Sequence, residues 1–234
     1  MVFLENANYN WLDLLEFQEK PFRAKLIPSK VWRDLDRYKN DAKGLSNYFK
    51  KWKAVIEFRK PISKATLYKT YIAVGGEYDP ETRRTYIHIY NNDFNNFEWC
   101  EWTWVRFKYK VMQTLMHEMI HLSQYVRRGD KEFNLTLPYK KEGIVSKDGE
   151  KQYLSSNDEI QAYAHCAYMD LQRHRYNCRV KDYLNLSKKN PSQTLKYYYK
   201  TFNYDMDNNY AIPRLYKHIL KWETKYKKII TRGN

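Results

Sequence analysis

The chain contains few cysteines, glycines and prolines, and it has no long apolar segment. Among its 234 residues there are 3 Cys, 7 Gly and 7 Pro. The three cysteines, Cys100, Cys166 and Cys178, cannot all pair with one another and show no Cys-x-x-Cys spacing, which is typical of a reducing compartment. No run of residues approaches the roughly 18 apolar positions of a membrane-spanning helix. We therefore expect a cytoplasmic protein without a membrane span.

The chain also lacks the features that separate domains. It has no linker rich in Ser, Gly or Pro, no repeat of fixed period and no low-complexity tract. Its first residues, MVFLENANYNWLDLLEF, carry acidic residues and lack the basic start and long apolar stretch of a signal peptide. A chain of this length can form one complete core. We therefore predict a single domain over residues 1–234 and no classical secretion signal.

One motif in the chain carries specific chemistry. His117-Glu118-Met119-Ile120-His121 has the spacing His-Glu-x-x-His. Residues four apart lie on the same face of a helix, so both imidazoles can bind one tetrahedral Zn²⁺. Glu118 then lies beside the metal, where it can take a proton from a water that the metal has made more acidic. The motif predicts a zinc hydrolase with one ion per chain and Glu118 as the general base.

The residues around this motif favour a helix. Residues 109–128 contain no Gly or Pro, and their apolar positions recur every three or four residues. These positions are Val111, Met112, Leu115, Met116, Met119 and Leu122. We expect them to form a buried stripe away from the two histidines, which then need a polar partner such as a metal ion.

A catalytic zinc needs a third protein ligand and an open fourth position. We predict Glu159 for this role, in a second helix that runs to about Arg175 with Asn157 or Asp158 as its N-cap. Residues 133–156 contain one Pro and two Gly, which favours a loop or short hairpin before that helix. The alternative third ligands are Asp158, His165 and His174.

The sequence HEMIH, followed by a distal helix that begins with Glu159 and reads EIQAYA, resembles the Glu-zincin metallopeptidases. The chain is similar to their small, minimal-domain members, related to ImmA/IrrE-type peptidases and to zincin-like proteins of bacteriophages. The resemblance covers about residues 66–175. It implies His117, His121 and Glu159 as zinc ligands and Glu118 as general base. For a phage protein, the expected location is the host cytoplasm or the virion.

The chain departs from the larger Glu-zincins at one position. Those proteins often have an Asp four residues after the ligand Glu, where it orients a His ligand. This chain has Tyr163 there. Another group must then orient the imidazoles, and the sequence does not identify it.

Residues 68–74 and 85–90 are predicted to form two β-strands, joined by a turn region that contains Gly75-Gly76 and Asp79-Pro80. The second run alternates as a half-buried strand does. In zincins an edge strand before the active-site helix binds the substrate backbone as an added strand. The resemblance implies this role for Ile87, His88, Ile89, Tyr90 and Asn91. The alternative is an ordinary amphipathic strand, with His88 as a surface residue rather than a ligand.

The chain is strongly basic, with 42 basic and 27 acidic residues and a net charge of +15. Such a charge attracts polyanions, so nucleic acid, an acidic protein or an anionic surface is an expected partner. Much of the charge lies in residues 210–234, which read as an amphipathic helix. Its candidate phosphate contacts are Lys221, Lys225, Lys227 and Lys228, and the tyrosines at 197–199 and 226 could stack on unpaired bases. The alternative is a helix docked on the core with a solvated basic face.

These observations predict an α+β, zincin-like fold. A small, mainly antiparallel sheet would pack on the motif helix and on the Glu159 helix. Helical additions are expected over residues 10–53 and 191–230, around a peptidase core at about 66–175. The N-terminal addition would contain a short helix over residues 10–18 and a helix from Pro28 that carries apolar residues as far as Trp52.

The predicted function is a zinc metallopeptidase that hydrolyses a protein or peptide. Tyr153, His165 or Arg127 could stabilise the oxyanion. One alternative is a weak or inactive zincin-fold protein that binds nucleic acid or belongs to a virion. Another is a zinc hydrolase of a non-peptide amide. The intact His, Glu, His, Glu set favours hydrolysis, because a structural zinc site is usually closed by a fourth protein ligand.

Overall fold

A computed structural model describes residues 28–60, 72–128, 147–174, 179–205 and 209–232. These residues form an α+β structure that is mostly helical, and their backbone contacts group them into two compact units, 28–128 and 147–232. The predicted helix over residues 10–18 lies outside the described residues. The prediction of a single domain over 1–234 stays a prediction. None of the helices within the described ranges is both long and apolar enough to cross a bilayer.

The first unit begins with helix α1 (Pro28–Asp34), a 3₁₀ turn (Leu35–Tyr38) and helix α2 (Ala42–Lys50). The prediction of one helix from Pro28 to Trp52 is therefore wrong. Asn40 has a left-handed backbone with φ of 60°, and Asp41 caps α2 by accepting a hydrogen bond from the Gly44 N–H at 2.8 Å. An N-cap residue has a non-helical backbone, so the chain must leave the first helix before it starts the second.

A three-stranded sheet follows, with strands β1 (Ala54–Arg59), β2 (Ala73–Asp79) and β3 (Arg84–Tyr90) in the order β1-β3-β2. Strand β3 is antiparallel to β2 but parallel to β1, with Ile56 opposite Ile87. The sheet is mixed, so the prediction of a mainly antiparallel sheet is wrong. The prediction considered only the β2–β3 hairpin and did not include β1.

The hairpin between β2 and β3 turns later than predicted. Gly75 and Gly76 lie inside β2, and the turn is formed by residues 80–83, where Arg83 has a φ of 52°. The Asp79 carboxylate accepts hydrogen bonds from the Glu81 N–H at 2.9 Å and the Thr82 hydroxyl at 2.7 Å, as turn-forming Asp residues often do. The predicted second strand, residues 85–90, is confirmed.

Strand β3 is the central strand of this sheet. It pairs with β1 over residues 85–90 on one side and with β2 on the other, and the Asn91 N–H donates to the Arg59 carbonyl at 3.0 Å. The prediction that Ile87, His88, Ile89, Tyr90 and Asn91 form an edge strand is therefore wrong. Both sides of β3 are already paired, so its backbone cannot accept a substrate as an added strand.

Helix α3 (Glu101–Arg127) packs on β2 and β3 and begins eight residues before the predicted start at 109. Its first turn is capped by Cys100, whose N–H donates to the Thr103 hydroxyl at 3.1 Å. The helix start is also held by aromatic packing of Trp99 against Trp104 and Phe107, with ring centroids 4.7 Å and 5.1 Å apart. Five of the six predicted stripe residues are buried, and Leu122 is half-buried.

The described part of the second unit contains five helices, α4 (Lys147–Ser155), α5 (Asn157–His174), α6 (Val180–Ser187), α7 (Gln193–Thr201) and α8 (Ala211–Arg232). Helix α5 is in contact with each of the other four. The predicted helix from Asn157 is confirmed as far as His174, and the amphipathic helix predicted in residues 210–234 is confirmed over Ala211–Arg232. The predicted loop or hairpin over 133–156 is wrong where α4 forms, and its earlier part lies outside the described residues.

The Ser187, Tyr199 and Tyr216 side chains join α6, α7 and α8. The Tyr199 hydroxyl lies 2.9 Å from the Ser187 hydroxyl and is hydrogen-bonded to the Tyr216 hydroxyl. Burial is the main cause that raises the pKa of Tyr199 and of Tyr216. Both phenols therefore remain protonated and able to donate in this chain of hydrogen bonds.

Candidate metal centre

Helix α3 places His117, Glu118 and His121 in one turn of an uninterrupted helix. Their exposed fractions are 8 %, 5 % and 7 %. The apolar residues of the same stretch are buried too. The prediction that the histidines lie on a face of the helix away from the core is therefore wrong. Buried imidazoles and carboxylates need polar partners. This part of α3 therefore buries polar side chains that need partners as well as apolar side chains that pack.

The two imidazoles face each other closely. The Nε2 atoms of His117 and His121 are 3.1 Å apart, and the ring planes meet at 77°. Two nitrogens at 2.0–2.1 Å from one tetrahedral zinc would be about 3.3 Å apart, which is close to the observed distance. At 3.1 Å the rings can also share an N–H···N hydrogen bond when no ion is bound.

Glu159 completes the group. One ligand atom from each of His117, His121 and Glu159 lies within 4.8 Å of the others, and Glu159 is 6 % exposed. Two imidazole nitrogens and one carboxylate oxygen are a donor set that Zn²⁺ accepts. Within the described residues, this is the set of His, Cys, Asp and Glu side chains close enough to hold a metal ion.

The start of α5 determines where Glu159 lies. Ser156, rather than the predicted Asn157 or Asp158, caps the helix: its hydroxyl accepts a hydrogen bond from the Glu159 N–H at 3.3 Å. Glu159 is thus the third residue of the helix, in a turn fixed by its own backbone. Asp158 and His165 are buried but are not part of the metal-binding group, and the His174 side chain lies outside the described residues.

The side chain of Gln124 lies beside His121. Its Oε1 lies 2.9 Å from Nδ1 of His121, and both side chains are buried. We did not identify Gln124 from the sequence. The signal was available, because residues three apart on a helix are neighbours and Gln is a neutral hydrogen-bonding partner for an imidazole.

Tyr163 occupies the position where larger Glu-zincins often have Asp. It packs against the Tyr197 and Tyr198 rings, with centroids 5.9 Å and 5.4 Å away. Burial first, and then the charge of Glu159, raises the pKa of Tyr163 well above its usual value. Tyr163 therefore stays neutral, and it cannot replace the negative charge of an Asp.

Strand β2 approaches Glu118 closely at Gly76. A Cβ atom at Gly76 would lie 3.1 Å from Cγ of Glu118, 2.9 Å from the Tyr86 carbonyl oxygen and 2.5 Å from Cγ2 of Thr114. Only a residue without a side chain fits this contact between β2 and α3. We had assigned Gly76 to a turn, although a Gly inside a strand also indicates close backbone approach.

The three predicted oxyanion helpers lie in different environments. His165 is fully buried, with its ring 4.7 Å from that of Trp222. Arg127 is exposed at the end of α3, and Tyr153 is half-buried in α4. Their role in stabilising an oxyanion stays a prediction.

His88 is not the surface residue that we predicted. It is buried on β3, with Nδ1 3.3 Å from Oε2 of Glu57 and Nε2 3.8 Å from Oε1 of Glu77. Burial first, and then the Arg59 charge, lowers its pKa, while Glu77 and Glu57 oppose that shift. His88 therefore lies between carboxylates of the two outer strands without a hydrogen bond to either, and it is not part of the metal-binding group.

The basic residues of the second unit are largely exposed. Those with exposed side chains are Arg179, Lys181, Lys188, Lys189, Lys196, Lys200, Lys217 and Lys221. The side chains of Lys225, Lys227, Lys228 and Tyr226 lie outside the described residues. Tyr198 and Tyr199 are fully buried, so the prediction that they stack on bases is wrong, whereas Tyr197 is partly exposed.

The chain was also compared with known proteins. No protein-family model, no curated protein and no solved structure matches it.

Proposed function

We propose that the protein is a zinc-dependent metallopeptidase. The buried group of His117, His121 and Glu159 carries this proposal. When bound, zinc supplies a water of lowered pKa and polarises the scissile carbonyl. Glu118, adjacent to His117 and buried, accepts the proton of the attacking water and passes it to the leaving amine.

Two features favour a catalytic zinc over a structural one. Within the described residues the group offers three protein ligands, which would leave the fourth tetrahedral position open, whereas structural sites are usually closed by four protein ligands. A buried carboxylate at Glu118 has no ligand role in a structural site and costs free energy to bury. Activation of a water at this site would explain both the open fourth position and the buried Glu118.

The substrate is proposed to pair with β2 rather than β3. Strand β2 is an edge of the sheet within the described residues, and it contacts the motif helix beside Glu118 through Gly76. An extended peptide added to an edge strand gains backbone hydrogen bonds without requiring a particular sequence. This placement keeps the binding mode that the zincin resemblance implies and moves it to a different strand.

The test is the variant Glu118→Gln in the full-length protein. Glutamine has nearly the same shape but cannot accept the proton, so cleavage of an unfolded protein mixture should fall to background. Zinc content should remain about one per chain, because Glu118 is not a ligand. Elemental analysis and peptide mapping measure the two quantities on the same sample.

Glu101→Gln is the matched control, since Glu101 lies in the first turn of the same helix. It should retain both zinc and cleavage. Undiminished cleavage by Glu118→Gln would show that Glu118 is not the base. A wild type that binds zinc but cleaves no protein would favour the inactive, nucleic-acid-binding alternative.

Binding of nucleic acid is proposed as a second function. The exposed lysines and arginines of residues 179–221 support it, because neutralised phosphates release counterions and so favour binding. Replacing both Lys217 and Lys221 with Gln should weaken binding and reduce the salt dependence by roughly one to two phosphate contacts. No binding by the wild type at low salt would exclude this function.

A further inference from the structure

The Nδ1 atom of His121 lies within hydrogen-bonding distance of a neighbouring buried side chain. Gln124 lies on the same helix, one turn after His121, and its Oε1 is 2.9 Å from Nδ1 of the imidazole. Gln124 is 6 % exposed and His121 is 7 % exposed, so water cannot readily replace this contact. The other nitrogen, Nε2, lies 3.1 Å from Nε2 of His117.

The chemistry of the amide decides where the imidazole proton lies. A carbonyl oxygen can only accept a hydrogen bond, so the placement of Oε1 beside Nδ1 favours the tautomer of His121 in which Nδ1 carries the proton and donates it. The lone pair of the neutral ring is then on Nε2, the atom that faces His117. An imidazole without this acceptor can carry its proton on Nε2, where the proton blocks metal binding.

We propose that Gln124 is the positioning residue that makes His121 an Nε2 metal ligand. This inference rests on the proposed zinc site and adds the residue that prepares it. A neutral amide here takes the orienting role of the Asp that Tyr163 replaces, without adding a second negative charge beside Glu159.

The test compares Gln124→Met, which removes the acceptor at similar length, with Gln124→Glu, which keeps it. Zinc affinity, measured by competition with a chelator, should fall about 10- to 100-fold in Gln124→Met and stay close to the wild-type value in Gln124→Glu. Gln113→Met is the matched control, because Gln113 is also buried on α3 but is bonded to Lys110 at 2.8 Å.

A nitrogen NMR measurement of the His121 ring supplies a readout that a packing defect does not change. The wild type should show a protonated Nδ1 with and without zinc, and Gln124→Met should show a mixture of tautomers without zinc. If Gln124→Met does not fold, Gln124→Glu decides: wild-type affinity and tautomer support the proposal, and their loss overturns it.

The outcomes separate this inference from the proposed function. A wild type that binds no zinc would overturn both. A wild type that binds zinc through His117, His121 and Glu159, with unchanged affinity and tautomer in Gln124→Met, would overturn the role of Gln124 alone. An equal loss of affinity in Gln113→Met would also overturn it, because the effect would then belong to the helix as a whole.

Discussion

Helices α3 and α8 are the two longest described helices, and they distribute their polar residues in opposite ways. Helix α8 buries Ala211, Ile212, Leu215, Ile219 and Trp222 and leaves Lys217 and Lys221 exposed. Helix α3 buries apolar residues as well, but it also buries His117, Glu118, His121 and Gln124. A helix that buries its apolar face and exposes its charged face, as α8 does, needs no explanation beyond stability.

The polar residues of α3 are not explained by stability. Burying an imidazole or a carboxylate costs free energy unless it is hydrogen-bonded or bound to a metal ion. In α3 the buried polar side chains lie within about two turns, where Gln124 and the facing imidazoles provide hydrogen-bonding partners. Two helices of similar length thus differ in what they bury: α8 buries apolar side chains, whereas α3 also buries polar side chains that could hold a metal ion.

The largest effect is expected on removing the carboxylate of the metal-binding group. Glu159→Ala should reduce zinc from about one ion per chain to near zero, because two imidazoles alone hold zinc weakly. Asp158→Asn, at the adjacent buried acid, should retain the ion. Elemental analysis of the dialysed proteins measures both. Full zinc in Glu159→Ala would exclude Glu159 as a ligand.

The second-largest effect is expected in α8, where loss of buried packing should lower the free energy of unfolding. Leu215 is fully buried, so Leu215→Ala should lower the free energy of unfolding by about 2–5 kcal/mol. Lys217→Gln, two residues further on, should change it by less than about 0.5 kcal/mol. Urea unfolding gives both values. If the two variants lost a similar free energy of unfolding, the face of α8 that carries Lys217 would have to be packed against other residues rather than exposed.

A smaller effect is expected where β2 meets α3. Gly76→Ala should cost about 1–3 kcal/mol, because its methyl group would lie 2.5 Å from Cγ2 of Thr114. Gly75→Ala is the control, since its nearest contact would be an ordinary 3.5 Å to the Tyr90 ring. Displacement of Glu118 should also slow cleavage in Gly76→Ala. Equal stability of the two variants would argue against the close approach.

The smallest effect is a pH dependence from His88, outside α3 and α8. Its folded pKa is lowered from 6.5, mainly by burial, so the unfolded chain binds a proton more readily. The contribution of His88 to stability is present above about pH 6.5 and is lost as the pH falls towards its folded pKa. Urea unfolding between pH 8 and 5 should show a steeper decline for the wild type than for His88→Gln. Identical pH profiles would contradict this assignment.

Local patterns allowed the two ligand-bearing helices to be predicted from the sequence. The spacing of His117 and His121 and the apolar repeat around them depend only on helix geometry, which is short-range. Glu159 was predicted because it follows the start of a periodic segment. Whether Glu159 lies close to the two histidines depends on tertiary structure, which helix periodicity does not determine. The resemblance to the Glu-zincins implied that it does.

The sheet could not be predicted in the same way. Strands β1 and β3 are parallel partners separated by about thirty residues, and no local signal specifies such pairing. As a result, β3 was predicted as an edge strand although it is central. Gly75-Gly76 was assigned to a turn because glycine serves both turns and close packing, and the sequence does not distinguish the two uses.

The hydrogen-bonded hydroxyls of Ser187, Tyr199 and Tyr216 also determine how the second unit responds to alkali. Burial raises the pKa of both tyrosines, whereas the unfolded chain ionises its tyrosines near pH 10. Their stabilising contribution is therefore complete below about pH 10 and declines as the pH rises further. Because tyrosinate absorbs ultraviolet light at longer wavelengths than tyrosine, the separation of α6, α7 and α8 in alkali would produce its own absorbance signal.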